Sequence, residues 1–264
     1  FFFMNRIFFF IYLVILLSIS KIAASENLQY QALYKGIFSL GKEIEIADIY
    51  YTNLKPIPKS NYSETKILIS SEKYEGVESL YPMRYRYRSW YLPDYSSSIA
   101  AEIYSNSGSK GEKHKLIYLD GSRELINSQD LSKDNKLDLS KLIDGKYDVR
   151  TNSKTINIFD RLGLLENIRS RRLGLGQKFA LKVSNGKNLL EYQIKVEKID
   201  TIEIANRNWE AFKLKLEGLK VIDENMKEAL HRPVYLWISK ESGNLPLLIV
   251  SKSSFGRLTI KLQQ

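Results

Sequence analysis

Lys178-Phe179-Ala180-Leu181-Lys182-Val183-Ser184-Asn185-Gly186-Lys187-Asn188-Leu189-Leu190-Glu191-Tyr192-Gln193-Ile194-Lys195-Val196 is the stretch whose reading decides the fold. Phe179, Leu181 and Val183 alternate with Lys178, Ala180 and Lys182, and Leu190, Tyr192, Ile194 and Val196 alternate on the way back. Between them, Asn185-Gly186 supplies two residues that tolerate positive φ. A period of two on either side of Asn-Gly predicts an antiparallel hairpin with one buried face.

The same period recurs outward from this hairpin. Downstream, 199–205 and 209–216 form a second predicted pair, and 229–264 reads as a meander. Within it, 234–239 and 247–250 are apolar on both faces, which predicts cover on both sides. Leu258, Ile260 and Leu262 alternate with Arg257, Thr259 and Lys261 as a half-buried last strand. Upstream, Tyr30, Ala32 and Tyr34 alternate, and Gly36 and Gly41 bracket Ile37-Phe38-Ser39-Leu40. Ile44, Ile46 and Ile49 suggest a strand that ends at Pro56-Ile57-Pro58, and 66–70 suggests a third. Residues 97–104 and 113–119 look like a hairpin around a Ser-, Gly- and Asn-rich loop.

The middle of the chain has another texture. Residues 127–150 are rich in Asp, Lys and Ser, which predicts an exposed polar connection with a short helix near Leu137. Across 155–169, Ile156, Phe159, Leu162, Leu165 and Ile168 fall on one helical stripe, with Asn152 or Ser153 as the cap. Gly163 weakens that helix by about 1 kcal/mol relative to Ala. The expected fold is mainly β. It is an antiparallel, strongly curved sheet, a roll or half-barrel, with one or two helices packed on it or plugging it. Residues 26–264 form a single domain with a polar insertion at about 127–150; two subdomains joined there are the alternative. No repeat of fixed period is present.

The first 25 residues read differently. Met4, Asn5 and Arg6 precede an uncharged apolar run from Ile7 to Ile19, and Ser20-Lys21-Ile22-Ala23-Ala24-Ser25 follows. A positive start, an apolar middle and small residues at the exit predict a secretory signal peptide over 1–25, cleaved after Ser25 or Ala24. The expected location is the periplasm. An uncleaved inner-membrane anchor is the alternative, although a spanning helix needs about 20 apolar residues. Removing Arg6 and Lys21 with the leader lowers the formal net charge from +10 to +8. That excess suits anionic lipid or acidic glycan, but the basic residues are spread along the chain rather than clustered. With no cysteine, disulfides, thiolate metal sites and a cysteine nucleophile are excluded.

Three C-terminal segments carry a resemblance: Val234-Tyr235-Leu236-Trp237-Ile238-Ser239, Leu245-Pro246-Leu247-Leu248-Ile249, and Gly256-Arg257-Leu258-Thr259-Ile260-Lys261-Leu262. Together with Asp160 to Leu165, Arg172-Leu173, Gly176, Glu203 to Phe212 and Tyr34-Lys35-Gly36-Ile37, they resemble an uncharacterised exported family of Gram-negative bacteria, domain of unknown function 3108. The resemblance covers most of 26–264 and is weakest over 80–150. It implies an exported antiparallel β protein and brings no reaction and no catalytic residue with it. A looser likeness to envelope lipid and lipoprotein carriers is one of architecture only.

Chemistry is sparsely signalled. His114 and His231 lie in no Gly-x-Ser-x-Gly elbow and no zinc-ligand spacing, so both are read as structural or surface residues. Asp134, Asp138 and Asp144 lack the glycine and terminal glutamate of a calcium loop. Leu173-Gly174-Leu175-Gly176 is too short a signal for a phosphate loop, and Arg169, Arg171 and Arg172 suit a helix C-terminus. No cofactor and no metal is expected. The most pointed feature is Arg84-Tyr85-Arg86-Tyr87-Arg88-Ser89-Trp90-Tyr91. On a strand it sets Arg84, Arg86 and Arg88 on one face and Tyr85 and Tyr87 on the other. Guanidinium rows suit phosphate or carboxylate, so Arg84, Arg86, Arg88, Tyr85, Tyr87 and Trp90 are the candidate ligand-binding residues; an ordinary amphipathic strand is the plainer reading. The expected role is non-enzymatic binding of an apolar or anionic envelope ligand, lipid or glycan. The alternatives are a module docking onto another envelope protein and an envelope hydrolase; nucleic acid is not an expected partner.

Overall fold

The structure, a computed structural model, describes residues 26–54, 62–107, 111–119, 126–130, 157–185, 188–222, 227–229, 232–241 and 243–263. The first half is a meander: β1 (Glu26–Gly36), a 3₁₀ turn (Ile37–Ser39), β2 (Glu43–Leu54), β3 (Ser63–Ser70), α1 (Glu75–Leu80), β4 (Met83–Tyr91), β5 (Ser98–Ser107), β6 (Glu112–Leu119) and β7 (Ile126–Asp130). The second half begins with β8 (Ile158–Phe159) and α2 (Arg161–Ser170). It continues as β9 (Lys178–Ser184), β10 (Leu189–Ile204), β11 (Arg207–Val221), β12 (Lys227–Ala229), β13 (Val234–Ser239), β14 (Pro246–Lys252) and β15 (Gly256–Leu262). The expected mainly-β fold with one or two helices is what forms.

Among the described residues all pairings are antiparallel except β8 beside β9. The strand order is β7-β6-β5-β4-β3-β2-β1-β15-β14-β13-β11-β10-β9-β8, with β12 added on β11. The two meanders are therefore stitched together by the first and last strands, Tyr30 opposite Leu262 and Gly36 opposite Gly256. Register shifts at Ala32/Leu33, Trp90/Tyr91, Val196/Lys198 and Trp237/Ile238 add the twist that curls the sheet. The sheet is nearly closed, because the β8 end returns to β5 and β6. There Ile158 packs on Ala101 and Ile117, and the Ser97 hydroxyl donates to the Ile158 carbonyl at 3.0 Å.

Helix α2 differs from its sequence reading. It starts at Arg161, not at 155, and Phe159 belongs to β8; the expected caps Asn152 and Ser153, and Ile156, lie outside the described residues. The cap is Asp160, whose carboxylate accepts from the Leu162 and Gly163 amides at 2.8 and 3.2 Å. Nor is one stripe buried. Leu162, Gly163, Leu164, Glu166, Asn167, Ile168 and Arg169 are all inside, because the curled sheet surrounds the helix. Leu164 and Ile168 join a core with Val183, Ile194, Val196, Leu214, Leu236 and Ile238, and Leu165 also reaches a second core built on Tyr30, Ile49, Tyr51, Leu247 and Leu262. Burying each such aliphatic side chain contributes about 1.5–3 kcal/mol.

Other differences are local. Residues 190–196 and 199–205 form one long strand, β10, bent by a bulge instead of interrupted. The outer faces of Tyr235 and Trp237 are only half-buried, beneath the Lys213 ammonium at 4.4 and 5.4 Å from their ring centres. Of the polar segment 127–150, residues up to Asp130 complete β7; the rest, with the short helix expected near Leu137, lies outside the described residues, as does the predicted signal peptide.

Candidate functional site

Alternation along β4 separates the six candidate binding residues. Ser89 points inward, where its hydroxyl meets the Asp160 carboxylate at 2.5 Å, so Tyr85 and Tyr87 share the inner face. Arg84, Arg86, Arg88 and Trp90 belong to the outer face. The arginines face acids there. Arg84 binds Glu78 of α1 at 2.8 Å, with Glu72 at 3.9 Å; Arg88 binds Glu64 at 2.8 Å; and Arg86 and Arg88 share Glu102 at 3.6 and 3.5 Å. The Glu78 carboxyl is held below its ordinary pKa by hydrogen bonds from Arg84 and Ser71. Arg88 lies 4.8 Å over the buried Trp90 ring and Arg86 lies 5.3 Å over Tyr104. Arg86 is the loosest of the three: its Nε is buried with no hydrogen-bond partner, and its side chain is 40% exposed.

A second constellation, which periodicity could not find, surrounds α2. Glu166 accepts from the Tyr51 hydroxyl at 2.5 Å and from Asn53 at 2.7 Å. Arg169 donates to the Tyr51 oxygen, to Glu26 at 2.6 Å and to the carbonyls of Gly243 and Asn244 at 3.2 and 3.3 Å. Asn244 returns hydrogen bonds to the Arg169 and Arg171 carbonyls. Burial pushes the Glu166 pKa up, against the lowering effect of Arg169 and the Tyr51 hydrogen bond. Burial alone would lower Arg169, but Glu166, Tyr51 and Glu26 carry it above the ordinary guanidinium range. The Tyr51 phenol is raised, first by burial and then by Glu166. Each group is engaged by the next, so the cluster is a clamp fixing α2 to β1, β2 and the 243–244 turn, with no base free to activate a nucleophile. Its sequence signal, Glu166 and Arg169 at i, i+3, is the same as that of a solvated helix face.

A third feature is the burial gradient along the inner face of the sheet. On β3, Ser63 and Thr65 are buried while Ile67 and Ile69 are half-buried. The same change runs from Ser89 to Tyr85 and Met83 on β4, from Ala101 to Ile103 on β5, from Leu236 to Val234 on β13, from Leu247 to Ile249 on β14 and from Leu262 to Ile260 and Leu258 on β15. On every one of these strands the exposed end is the one carrying α1, the 3₁₀ turn and the β14–β15 turn. Helix α2 covers the other end. The result is an apolar inner surface only partly covered by the chain's own described side chains.

Among the described residues no group of three or more His, Cys, Asp or Glu side chains is placed to hold a metal, and no helix is long and apolar enough to cross a membrane. His114 lies on β6, and His231 is outside the described residues.

These features define an antiparallel, barrel-like β protein with a helix enclosed by its sheet. The chain belongs to the family described as protein of unknown function (DUF3108), which matches residues 54–263. Among solved structures it is similar to a β-barrel-like protein of domain of unknown function DUF1849 from Brucella abortus, with a TM-score of 0.52 and 8% sequence identity over 90% of this chain and 95% of that one. At that identity the likeness is one of fold alone. No curated protein matches the sequence.

Proposed function

We propose that the protein is an exported, non-enzymatic envelope protein whose inner sheet face takes an apolar ligand, the acyl portion of a lipid. The observation that carries this reading is the burial gradient. Ile67, Ile69, Met83, Ile103, Ile249, Leu258 and Ile260 continue the core surface outward and are only half-buried. An aliphatic chain laid on that face would gain about 0.8 kcal/mol for each methylene it buries. The reading favours lipid over glycan, because the face offers few polar partners for sugar hydroxyls. The pattern over 1–25 supports export to the periplasm after cleavage, with retention as an inner-membrane anchor the alternative.

The test is to purify the protein from a membrane-rich lysate, extract it for mass spectrometry, and titrate it with the apolar probe N-phenyl-1-naphthylamine. A lipid should co-purify, or the probe should bind and be displaced by fatty acid. Ile69→Glu and Leu258→Glu should each weaken binding at least about tenfold by placing a charge on the apolar face. Absence of both co-purified lipid and probe binding overturns the proposal, and so does retained binding in the two variants.

A further inference from the structure

The turn between β1 and β2 contradicts what a solvent-facing turn should contain. Phe38 is 80% exposed, Leu40 91%, and Phe255 in the neighbouring β14–β15 turn 61%; Ile37 is exposed beside them. Pairing of β1 with β15 brings the two turns together. The Ile37 amide donates to the Phe255 carbonyl at 3.0 Å, and the Tyr34 hydroxyl donates to the same oxygen at 2.6 Å. The Phe38 ring lies 6.3 Å from that of Tyr34 and 6.5 Å from that of Phe255. Leu40 holds φ at 51°, a left-handed conformation that Gly or Asn adopts more readily. The backbone thus accepts a disfavoured state and places a leucine in water.

The tip is held in shape. The Ser39 hydroxyl accepts from the Gly36 amide at 3.0 Å and donates to the Lys42 carbonyl at 2.6 Å, and the Gly41 amide donates to the Gly36 carbonyl at 2.9 Å. Lysines surround it. Lys35, Lys42 and Lys252 are exposed, and Arg257, opposite both Lys35 and Lys252 in the ladder, is offset by Glu43 at 2.8 Å.

We infer that this tip docks on an anionic lipid bilayer. Phe38, Leu40 and Phe255 enter the headgroup–acyl boundary, and the three lysines contact lipid phosphates. A bilayer suits four apolar side chains on two short turns, whereas a protein partner of ordinary affinity needs about 800 Å² on each side. The inference stands apart from the ligand proposed for the inner face. It places that face's half-buried end towards the bilayer, because both lie at the same end of the sheet.

The chain has no cysteine, so Leu40→Cys and Asn208→Cys, the latter near the opposite end of β11, each create one labelling site. Each is labelled with nitrobenzoxadiazole and mixed with vesicles of phosphatidylglycerol and phosphatidylcholine, or of phosphatidylcholine alone. Emission at position 40 should rise at least about twofold and shift to the blue with the anionic vesicles only, and emission at 208 should stay flat. Phe38→Asp combined with Leu40→Asp should cut co-sedimentation with anionic vesicles about tenfold at an unchanged melting temperature, since both side chains are in water in the free protein. A silent label at position 40 overturns the inference even where the protein sediments, because residues 1–25 or another surface then make the contact. Undiminished sedimentation of the double variant overturns it too, as does a position-40 signal that appears on self-association without lipid. Co-purified lipid retained by the double variant leaves the inner-face ligand standing whatever the vesicles show.

Discussion

A Cβ placed on Gly163 of α2 would stand 1.9 Å from the hydroxyl oxygen of Ser98 on β5. That hydroxyl accepts from the Asp160 amide at 3.1 Å, so the first turn of the helix is pressed against the strand along a line where only glycine fits. Gly163→Ala should therefore destabilise the protein by about 1–3 kcal/mol through overpacking, although helix propensity alone would have it stabilise by about 1 kcal/mol. Urea unfolding measures the difference. Combining it with Ser98→Gly should recover part of the loss.

The clamp on α2 should respond asymmetrically to neutralisation. Arg169→Met strands Glu166 in a buried site and should cost about 3–5 kcal/mol, whereas Glu166→Gln with Arg169→Met should cost clearly less, because the one carboxylate then left without its arginine, Glu26, keeps contact with solvent. A double-mutant cycle by chemical denaturation checks this. A surface pair gives the contrast: Lys240→Ala should cost less than about 1 kcal/mol, since Lys240 and Glu210 keep contact with solvent.

Acidity should act on the same cluster. Burial raises Glu166 above its ordinary 4.5 and Asp160 above its ordinary 3.8, against the hydrogen bonds that favour their charged forms. A carboxyl with a raised native pKa takes up a proton on folding at pH values between its unfolded and native pKa, so stability falls as pH rises through that window. Glu166→Gln should flatten the pH dependence of the unfolding free energy immediately above pH 4.5. The surface carboxyls of Glu191 and Asp200 are lowered instead, so their contribution is lost as pH falls through their native values, on the acid side of that window. Urea titrations of both proteins across the acid range separate the two signs.

The close approach of Gly36 to Gly256, where a Cβ on either would meet backbone atoms within 3 Å, ties the two exposed turns to one another. Gly36→Ala should push them apart, lower the melting temperature and loosen the Tyr34–Phe255 hydrogen bond. The last effect is visible as faster amide exchange at Ile37, whose amide donates to the same carbonyl.

The strands were legible because their period of two is a local property. Phe179 to Val183, Leu190 to Val196 and Leu258 to Leu262 each announce their buried face, and Asn185 marks the hairpin between the first two. What joins the two meanders was not legible, since the pairing of Tyr30 with Leu262 leaves no mark on either segment alone. The start of α2 was misplaced because Phe159, three residues before Leu162, imitates helical spacing while lying on β8; Asp160 ahead of Leu162 and Gly163 was the available signal. Helix α1 is too short for periodicity to reveal. The arginines of β4 were found as residues, but their partners Glu64, Glu78 and Glu102 come from three other elements, and spacing within one strand cannot name them.

The seam between β1 and β15 also sets when this molecule can become whole. Its first strand waits for its last, so a chain still lacking residues 256–262 would present two raw sheet edges, one on β1 and one on β14. Such edges invite pairing with other chains. Maturation should accordingly be slow and all-or-nothing, governed by the search that brings β1 and β15 together. A lesion within 256–262 should leave a sticky, half-built meander, not a slightly altered version of the same fold.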